Sequence, residues 1–371
     1  SLFLLQLFYA QDNTPPPITF SGGYTFDLAG NVAGGVDQGT AYLGNIDLNF
    51  DFDTQALNLW KGGHFFVYLL NNHGNSLSEL MGDFQVANNI EAESNTRLYE
   101  LWYEHNFSFW SVLVGQHDLN STFAKTDTGF FFVNSSFEIQ PDLSTNVPTS
   151  IFPLATLGIV IRWRIGENFK VLHAMYDGDP GSESENPNSL KWSLSNEDGA
   201  LLINELQYEV VKETETQATY KIGFWKHTQD QIFKNTLYSN SHGIYGISDH
   251  VLFRNENTKG VLSIFSQLGF SLNEHNPVKS YLGGGVLYQG ISTKRSQDAI
   301  GLALAHNVFS ETYRSSFTDG IQNETAFEFS YRLVTNTRWF LQPNVQYVIN
   351  PGTNSNIPNA LMGMVRFNYS W

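Results

Sequence analysis

The 371-residue chain lacks cysteine, carries few charges and has no long apolar segment. Without cysteine, a disulfide scaffold, a cysteine-ligated zinc site and a thiol nucleophile are excluded. Charged residues make up 15% of the chain, against roughly 25% in soluble domains. No run of about 18 or more apolar residues occurs, which excludes a helical membrane protein. Sustained apolar recurrence at helical spacing is also missing, so the sequence does not predict a helical protein.

Aromatic residues, by contrast, are abundant, with 8 Trp, 17 Tyr and 29 Phe. So many aromatic side chains beside so few charges exclude intrinsic disorder. The formal net charge is −16, and an acidic surface repels the phosphate backbone of nucleic acids. We therefore expect an ordered protein with no nucleic-acid partner.

The chain begins with a short apolar stretch, SLFLLQLFYA, at residues 1–10. This stretch is too short to span a bilayer, and it is typical of the end of a secretory signal, with cleavage near Ala10. The alternative is an ordinary buried N-terminal segment. We assign residues 1–17 to a signal remnant and tail, and residues 18–371 to a single domain.

Apolar and polar side chains alternate along segments of about 9–13 residues. In the segment 155–165, Ile159 and Ile161 fall on one face, whereas Arg162 and Arg164 fall on the other. Such alternation is typical of β-strands, in which successive side chains point to opposite faces. The predicted strands are 19–30, 41–53, 62–71, 96–106, 108–118, 155–165, 168–176, 200–211, 217–228, 242–253, 260–272, 279–290, 297–308, 323–334, 337–349 and 358–371.

The connections between these segments alternate in length. Links near residues 107, 166 and 213 are short, whereas those at 72–95 and 177–199 are long. A transmembrane barrel has this pattern, with short periplasmic turns and long external loops. We therefore predict an all-β fold, a transmembrane antiparallel β-barrel of sixteen strands. A soluble β-sandwich or a solenoid is the alternative.

Four sequence blocks resemble, in the same order, blocks of the OprB family of carbohydrate-selective outer-membrane porins. They are NIEAESNTRLYELWYE (89–104), DLNSTFAKTDTGFFFVNSSFEIQPDLSTNVPTSIFPLATLG (118–158), MYDGDPG (175–181) and FLQPNVQYVINPG (340–352). The resemblance implies a sixteen-stranded porin in the outer membrane of a Gram-negative bacterium, with its third external loop folded into the pore. It also implies passive diffusion of glucose-like sugars into the periplasm without covalent chemistry, cofactor or energy input. The longest connection, at about 119–154, is also the third long one, and we expect it to be this constriction loop.

Strand alternation assigns polar and aromatic side chains to the inner face of the barrel. Sugar hydroxyls both donate and accept hydrogen bonds, which arginine and carboxylate groups match, while aromatic planes contact the C–H faces. We expect Trp102 and Trp225 to provide such planes. The other predicted pore-lining residues are Glu100, Glu104, Arg162, Arg164, Glu205, Lys221, Asp249, Gln267, Glu328, Arg332 and Arg366.

Other roles remain open for these side chains. Paired Arg and Glu residues could instead neutralise each other and hold the wall together, and Trp102 could pack under the inserted loop. The same alternation directs Leu98 inward and Tyr99 toward lipid. Within the constriction loop we expect Asn134, Ser135, Ser136 and Asn146 to be its polar residues, and Phe130, Phe131, Phe132 and Phe137 to anchor it. Family members often carry basic residues where this chain has Leu113 and Gln267, so the comparison with the family implies a thinner basic lining on these strands.

Motifs of enzymatic chemistry are missing from the sequence. The carboxylates of Glu100 and Glu104 would lie about 13 Å apart at strand rise, beyond the roughly 5–9.5 Å of glycosidases. Neither a GxSxG nor an HExxH motif occurs. We therefore expect that the protein is not an enzyme and binds no metal or cofactor. The expected partners are small carbohydrates, outer-membrane lipid and lipopolysaccharide. For the oligomeric state, a homotrimer and a monomer are both possible. The alternative functions are a general diffusion porin, a barrel enzyme and a soluble carbohydrate-binding β-protein.

Overall fold

The computed structural model describes residues 16–233, 236–255 and 257–371, so the predicted signal remnant at 1–10 lies outside the described residues. Sixteen strands form one closed barrel, in which the first strand pairs with the last. This confirms the predicted fold class. The barrel strands are β1 (Ile18–Ala33), β2 (Gly39–Asp53), β3 (Gly63–Gly74), β4 (Asn95–Asn106), β5 (Trp110–His117), β6 (Thr156–Ile165), β7 (Phe169–Asp177), β8 (Ala200–Lys212), β9 (Glu215–His227), β12 (Ser241–Asn255), β13 (Gly260–Ser271), β14 (Val278–Gln289), β15 (Ala299–Phe309), β16 (Asn323–Asn336), β17 (Trp339–Ile349) and β18 (Ala360–Ser370).

The remaining elements lie in the loops at one end of the barrel. A small hairpin, β10 (Gln231–Phe233) with β11 (Thr236–Tyr238), was not anticipated from the sequence. The short helices are α1 (Ser78–Met81), α2 (Ser135–Glu138), α3 (Pro141–Ser144) and α4 (Glu311–Arg314). Within the described part of the chain, no helix has the length and apolar character needed to cross a membrane.

Three long loops at this end matter for the interior. We call them L2 (residues 75–94), L3 (residues 118–155) and L4 (residues 178–199). The opposite end has short turns, such as the two residues between β8 and β9. The alternation of short and long connections therefore follows the predicted pattern.

The two faces of each strand differ in the way a membrane barrel requires. On β9, Ile222 and Phe224 are exposed on the outer face, whereas Lys221 and Trp225 are buried on the inner face. A closed sheet pairs its backbone N–H and C=O groups without leaving an edge, which permits an apolar outer surface in lipid. The alternation in the sequence therefore gives the barrel an apolar outer face and a polar inner face.

One face prediction, on β4, is wrong. The register runs from Tyr68↔Glu100 to Leu69↔Leu98, so Tyr99 has no partner and forms a β-bulge. Tyr99 is only 3% exposed and packs edge-on against Tyr68 inside the barrel. Leu98 lies opposite Leu69, which is exposed on the outer face. Because a bulge adds one residue to one strand, it inverts the faces on one side of it.

Aromatic rings cluster at the short-turn end of the barrel. Trp339 contacts Phe367 and Tyr369, with ring centroids 4.7 Å and 4.4 Å apart. Tyr369 in turn contacts Trp371, at 5.7 Å. Aromatic rings with an apolar body and a polar edge favour the membrane–water interface. The last strand therefore carries part of an interfacial girdle.

A buried ion pair joins the first strand to the last. Asp27 on β1 lies directly opposite Arg366 on β18, and the guanidinium donates to the carboxylate at 2.8 and 2.9 Å. The Arg366 guanidinium also donates to the side-chain oxygen of Asn89 in L2, at 2.8 Å. Because both groups are buried, bulk water cannot solvate either charge if its partner is removed. Each charge is therefore stabilised by the other.

We predict that Arg366→Met lowers the thermal stability of the folded barrel, because it leaves the Asp27 carboxylate buried and unpaired. Breaking a buried pair in this way costs about 3–5 kcal/mol. The measurement is the temperature at which the heat-modifiable band converts to the unfolded band on gels. The double variant Asp27→Leu/Arg366→Met should recover most of the loss. The matched control is Arg164→Ala, at an exposed position; an equal loss there would contradict the prediction.

Candidate functional site: the barrel interior

Loop L3 lies against the inner wall and is held there by strand carboxylates. The carboxylate of Glu328 on β16 accepts hydrogen bonds from the backbone N–H groups of Val133 and Asn134, at 2.8 and 2.9 Å. Glu205 on β8 accepts from the backbone N–H of Ala124, at 2.9 Å. An N–H bonded to a carboxylate is a charge-assisted bond and stronger than a neutral one. These two carboxylates therefore fix L3 at two points of the wall.

Two further carboxylates extend this attachment. Asp249 on β12 accepts from the backbone N–H of Thr128 at 3.0 Å. Glu100 on β4 accepts from the N–H of Asp118 at 2.6 Å, where L3 begins. All four strand carboxylates are buried. Each of them was predicted to line the pore, and each is bonded to the loop.

Inner-face donors bind the carbonyl groups of the same loop. The Lys221 ammonium donates to the carbonyl of Lys125 at 2.6 Å, and the Gln267 amide donates to that of Phe137 at 3.2 Å. The Arg332 guanidinium lies over the Phe131 ring, 4.9 Å from its centroid. L3 is therefore held by both its N–H and its carbonyl groups.

The polar residues predicted for L3 mainly satisfy its own backbone and the wall. The Asn146 side chain forms two bonds of 2.8 Å with the backbone N–H and carbonyl of Val278 at the start of β14. The Asn134 side chain accepts from the N–H of Ser136 at 3.0 Å and so caps the N-terminus of α2. Ser135 donates its backbone N–H to a carbonyl in L2 at 3.0 Å. Three of the four are buried, and Ser135 is half-buried.

Phenylalanine side chains of L3 pack where the wall has no side chain. Phe131 and Phe132 lie so close to Gly301 on β15 that a Cβ there would fall 2.7 Å from the Phe132 ring. Phe137 and Phe132 also contact the ring of Phe265 on β13, with centroids 5.9 and 5.8 Å apart. The anchoring phenylalanines therefore occupy space that the glycine leaves open. Phe130, at the loop surface, is only half-buried.

The helix α3 carries one buried carboxyl group in an unfavourable environment. Asp142 lies against Gly269, where a Cβ would fall 1.8 Å from its Oδ1. Neither carboxyl oxygen has a hydrogen-bond partner of ordinary geometry among the described residues. Burial raises the pKa of Asp142 to about 7. Trp225 is also fully buried under L3.

A different group of predicted residues remains partly exposed, on the wall formed by β2–β6. The Arg162 guanidinium forms an ion pair with Glu104 and donates to the hydroxyl of Thr122 at 2.9 Å. The side chains of Arg162 and Glu104 are 27% and 15% exposed. Trp102 is half-buried beside Phe66, with ring centroids 4.9 Å apart. These groups therefore remain partly exposed to the interior, although Arg162 also contacts L3 through Thr122.

The same wall contains a second, unpredicted pair. His64 on β3 hydrogen-bonds Asp51 on β2 at 2.6 Å, with side chains 27% and 41% exposed. The His64 ring meets Trp102 edge-on at 5.4 Å. Arg164, two residues after Arg162, is exposed near the short-turn end. Neither Asp51 nor His64 was assigned to the inner face from the sequence. Strand alternation is the signal that could have done so, but their pairing depends on register.

Loop L2 also enters the barrel, which sequence reasoning missed. The amide of Asn88 donates to the carboxylate of Asp27 at 2.8 Å, and the amide of Gln346 donates to the carbonyl of Ala87 at 2.8 Å. Glu324 accepts from the backbone N–H of Phe84 at 2.8 Å. The length of the loop was the sole sequence signal, because an irregular segment has no periodicity to indicate its position.

Among the described residues, no three His, Asp or Glu side chains are grouped so that they could hold an ion. The inner-face carboxylates are instead distributed around the wall, each with its own donor. The described part of the interior therefore offers hydrogen-bonding side chains that are spread over several strands.

We predict that the docking of α3 weakens as pH rises. The pKa of Asp142 is about 7 when docked and about 3.9 when solvated, so docking loses about 1.4 kcal/mol per pH unit between about pH 4 and 7. Asp142→Asn removes this penalty. Hydrogen exchange of the amides of residues 133–146 should match in both proteins at about pH 3, below both pKa values, and be slower in the variant at pH 8. Asp127→Asn, at an exposed L3 carboxylate, is the control; identical protection in wild type and Asp142→Asn at pH 8 would contradict the prediction.

Comparison with known proteins places this barrel among porins. Porin B of Pseudomonas aeruginosa is 23% identical over 394 residues, which cover 92% of this chain and 85% of that protein. The high-pH structure of Pseudomonas putida OprB superimposes with a TM-score of 0.86 at 19% identity, covering 96% of this chain and 94% of that one. Its low-pH structure gives a TM-score of 0.61 at 16% identity, covering 96% and 93%. At these identities the solved structures show the fold alone.

The family follows from a match along most of the chain. The family model described as the carbohydrate-selective porin, OprB family, matches residues 37–370. The same barrel contains the four blocks whose resemblance to this family was noted in the sequence. The chain therefore belongs to the OprB family of carbohydrate-selective porins, which are channels of the Gram-negative outer membrane.

Proposed function

We propose that the chain conducts small neutral sugars of the glucose type by passive diffusion, along the wall formed by β2–β6. The observation that carries the proposal is the exposure of the Arg162–Glu104 pair beside Trp102, while the carboxylates that hold L3 are buried. A solute moving past this wall meets donors, acceptors and aromatic surface within one region. No covalent step is needed, since the driving force is the concentration gradient.

The chemistry of this wall suits a sugar. The Arg162 guanidinium and the Glu104 carboxylate supply donors and acceptors that can exchange their mutual bonds for sugar hydroxyls. The half-buried Trp102 and Phe66 supply apolar surface for the C–H face of a pyranose ring. Binding must stay weak, because conduction requires that the solute can also leave. Partly exposed, already paired groups satisfy that requirement.

Several predicted residues take no direct part in this proposal. Glu100, Glu205, Asp249, Gln267, Glu328 and Lys221 are bonded to L3, and Trp225 is buried beneath it. We assign them the role of fixing the loop and hence the width of the passage. Arg332 and Arg366 also hold loop residues, through Phe131 and Asn89 respectively.

Selectivity is tested by liposome swelling with glucose, larger sugars and size-matched amino acids. We expect glucose to enter faster than an amino acid of equal size. Rates that follow solute size alone would overturn the sugar preference and leave a general diffusion porin. Hydrolysis of the sugar or of lipid during the assay would instead indicate a barrel enzyme.

The role of the exposed pair is tested by Arg162→Ala. Removing one charge-assisted hydrogen bond costs about 1.5–3 kcal/mol, so the sugar concentration that half-blocks the ion current should rise about tenfold or more. Arg162→Lys should lie between, since it keeps the charge but loses the planar fork. Arg164→Ala removes an equal charge from an exposed position and is the matched control. An unchanged blocking concentration in Arg162→Ala would remove this residue from the sugar path.

A further inference from the structure

Loop L4 is fixed to β4 and β5 at the external end of the barrel. The backbone carbonyl of Asn188 accepts from the N–H of Leu98 at 3.0 Å, and the Asn188 amide donates to the carbonyl of Thr96 at 2.6 Å. Backbone groups of a strand lie in the plane of the sheet, so these bonds fix L4 along the side of β4. The Glu183 carboxylate of L4 also accepts from the Arg97 guanidinium on the same strand, at 2.9 Å.

A second contact fixes the same segment to the neighbouring strand. The indole N–H of Trp192 donates to the side-chain oxygen of Gln116 on β5 at 2.8 Å. Gln116 lies opposite Leu101 on β4 and Leu157 on β6, which belong to the outer face. This hydrogen bond orients the indole, while the residue as a whole is 52% exposed.

Three large apolar side chains of this segment point away from the protein. Leu190, Trp192 and Leu194 are 62%, 52% and 72% exposed, and we call them the L4 apolar edge. The charged residue between them is turned back: the Lys191 ammonium donates to the carbonyl of Glu185 within L4, at 2.5 Å. Apolar side chains so exposed in a folded protein mark contact with a membrane or another molecule.

The L4 apolar edge continues the lipid-facing surface of the barrel. Immediately toward the membrane centre from Gln116, the outer face presents Val114, Ile159 and Met175, which lie side by side and are all exposed. Hydrocarbon surrounds these side chains in the membrane. The L4 apolar edge begins where this apolar surface ends. That level corresponds to the membrane–water interface, where tryptophan is enriched.

We propose that the L4 apolar edge inserts into the outer leaflet of the outer membrane, with Trp192 at the interface and Leu190 and Leu194 in contact with acyl chains. A lipid surface is favoured over a second copy of this chain because the edge is continuous with the lipid-facing wall. The inference is independent of the sugar path, which lies on the inner face of the same strands. It assigns L4 the role of anchoring the external end of the barrel in lipid.

The absence of cysteine from the chain allows a direct test. Leu190→Cys and Leu194→Cys are labelled with an environment-sensitive fluorophore and reconstituted into phosphatidylcholine vesicles that contain a phospholipid with a nitroxide near the headgroup end of its acyl chain. Ile222→Cys, on the exposed outer face of β9, is the lipid-contact control. Ser355→Cys, exposed in another loop at the external end, is the solvent control. Heat-modifiable mobility verifies that each labelled barrel is folded.

We expect the labels at positions 190 and 194 to lose fluorescence to the nitroxide lipid as strongly as the label at 222. The label at 355 should lose none. Quenching at 190 and 194 no greater than at 355 would overturn the proposal. The emission could instead be blue-shifted, unquenched by the nitroxide lipid, and lost as the protein is diluted in lipid. That result would overturn the proposal in favour of contact with a second copy of the chain. None of these outcomes depends on whether the channel prefers sugars.

Discussion

The interior of this barrel depends on hydrogen bonds between strand carboxylates and the backbone N–H groups of L3. A loop that enters a barrel carries backbone groups that would otherwise remain unpaired, and each such group costs free energy when buried. Glu328 satisfies two consecutive N–H groups, and Glu205, Asp249 and Glu100 satisfy one each. The carboxylates gain the partners that make their own burial tolerable. The loop therefore needs the wall carboxylates as acceptors, and the buried carboxylates need the loop N–H groups as donors.

This requirement divides the inner face into two regions with different tasks. Strands β8–β17, together with Glu100 on β4, present carboxylates, amides and glycines to L3, and the polar groups among them form hydrogen bonds that hold the loop. Strands β2–β6 keep partly exposed pairs, Arg162 with Glu104 and His64 with Asp51. A residue type that suits sugar binding is therefore insufficient evidence of such a role. The role of an inner-face residue depends on whether its hydrogen-bonding groups are already used to hold L3.

The sequence could predict the strands and their faces because both follow from a local period of two. That period correctly directed Glu205, Lys221 and Glu328 inward. It failed at Leu98 and Tyr99, since one extra residue in β4 changes the parity and no residue type there announces the bulge. The partners of the inner residues were also out of reach. Asp27 and Arg366 meet only because the barrel closes, and Glu328 meets Asn134 only because L3 crosses the interior.

The net charge of −16 gives a poor guide to the solute, because most inner charges are paired or bonded. Arg366 is bound to Asp27, and Lys221 to a loop carbonyl. On the β2–β6 wall the Arg162–Glu104 pair presents a cation and an anion side by side. Adjacent opposite charges nearly cancel at the distance of a passing ion, whereas each still offers directional hydrogen bonds at contact. Such a wall discriminates through contact with hydroxyl groups more than through its field, which favours a neutral, hydroxyl-rich solute over an ion.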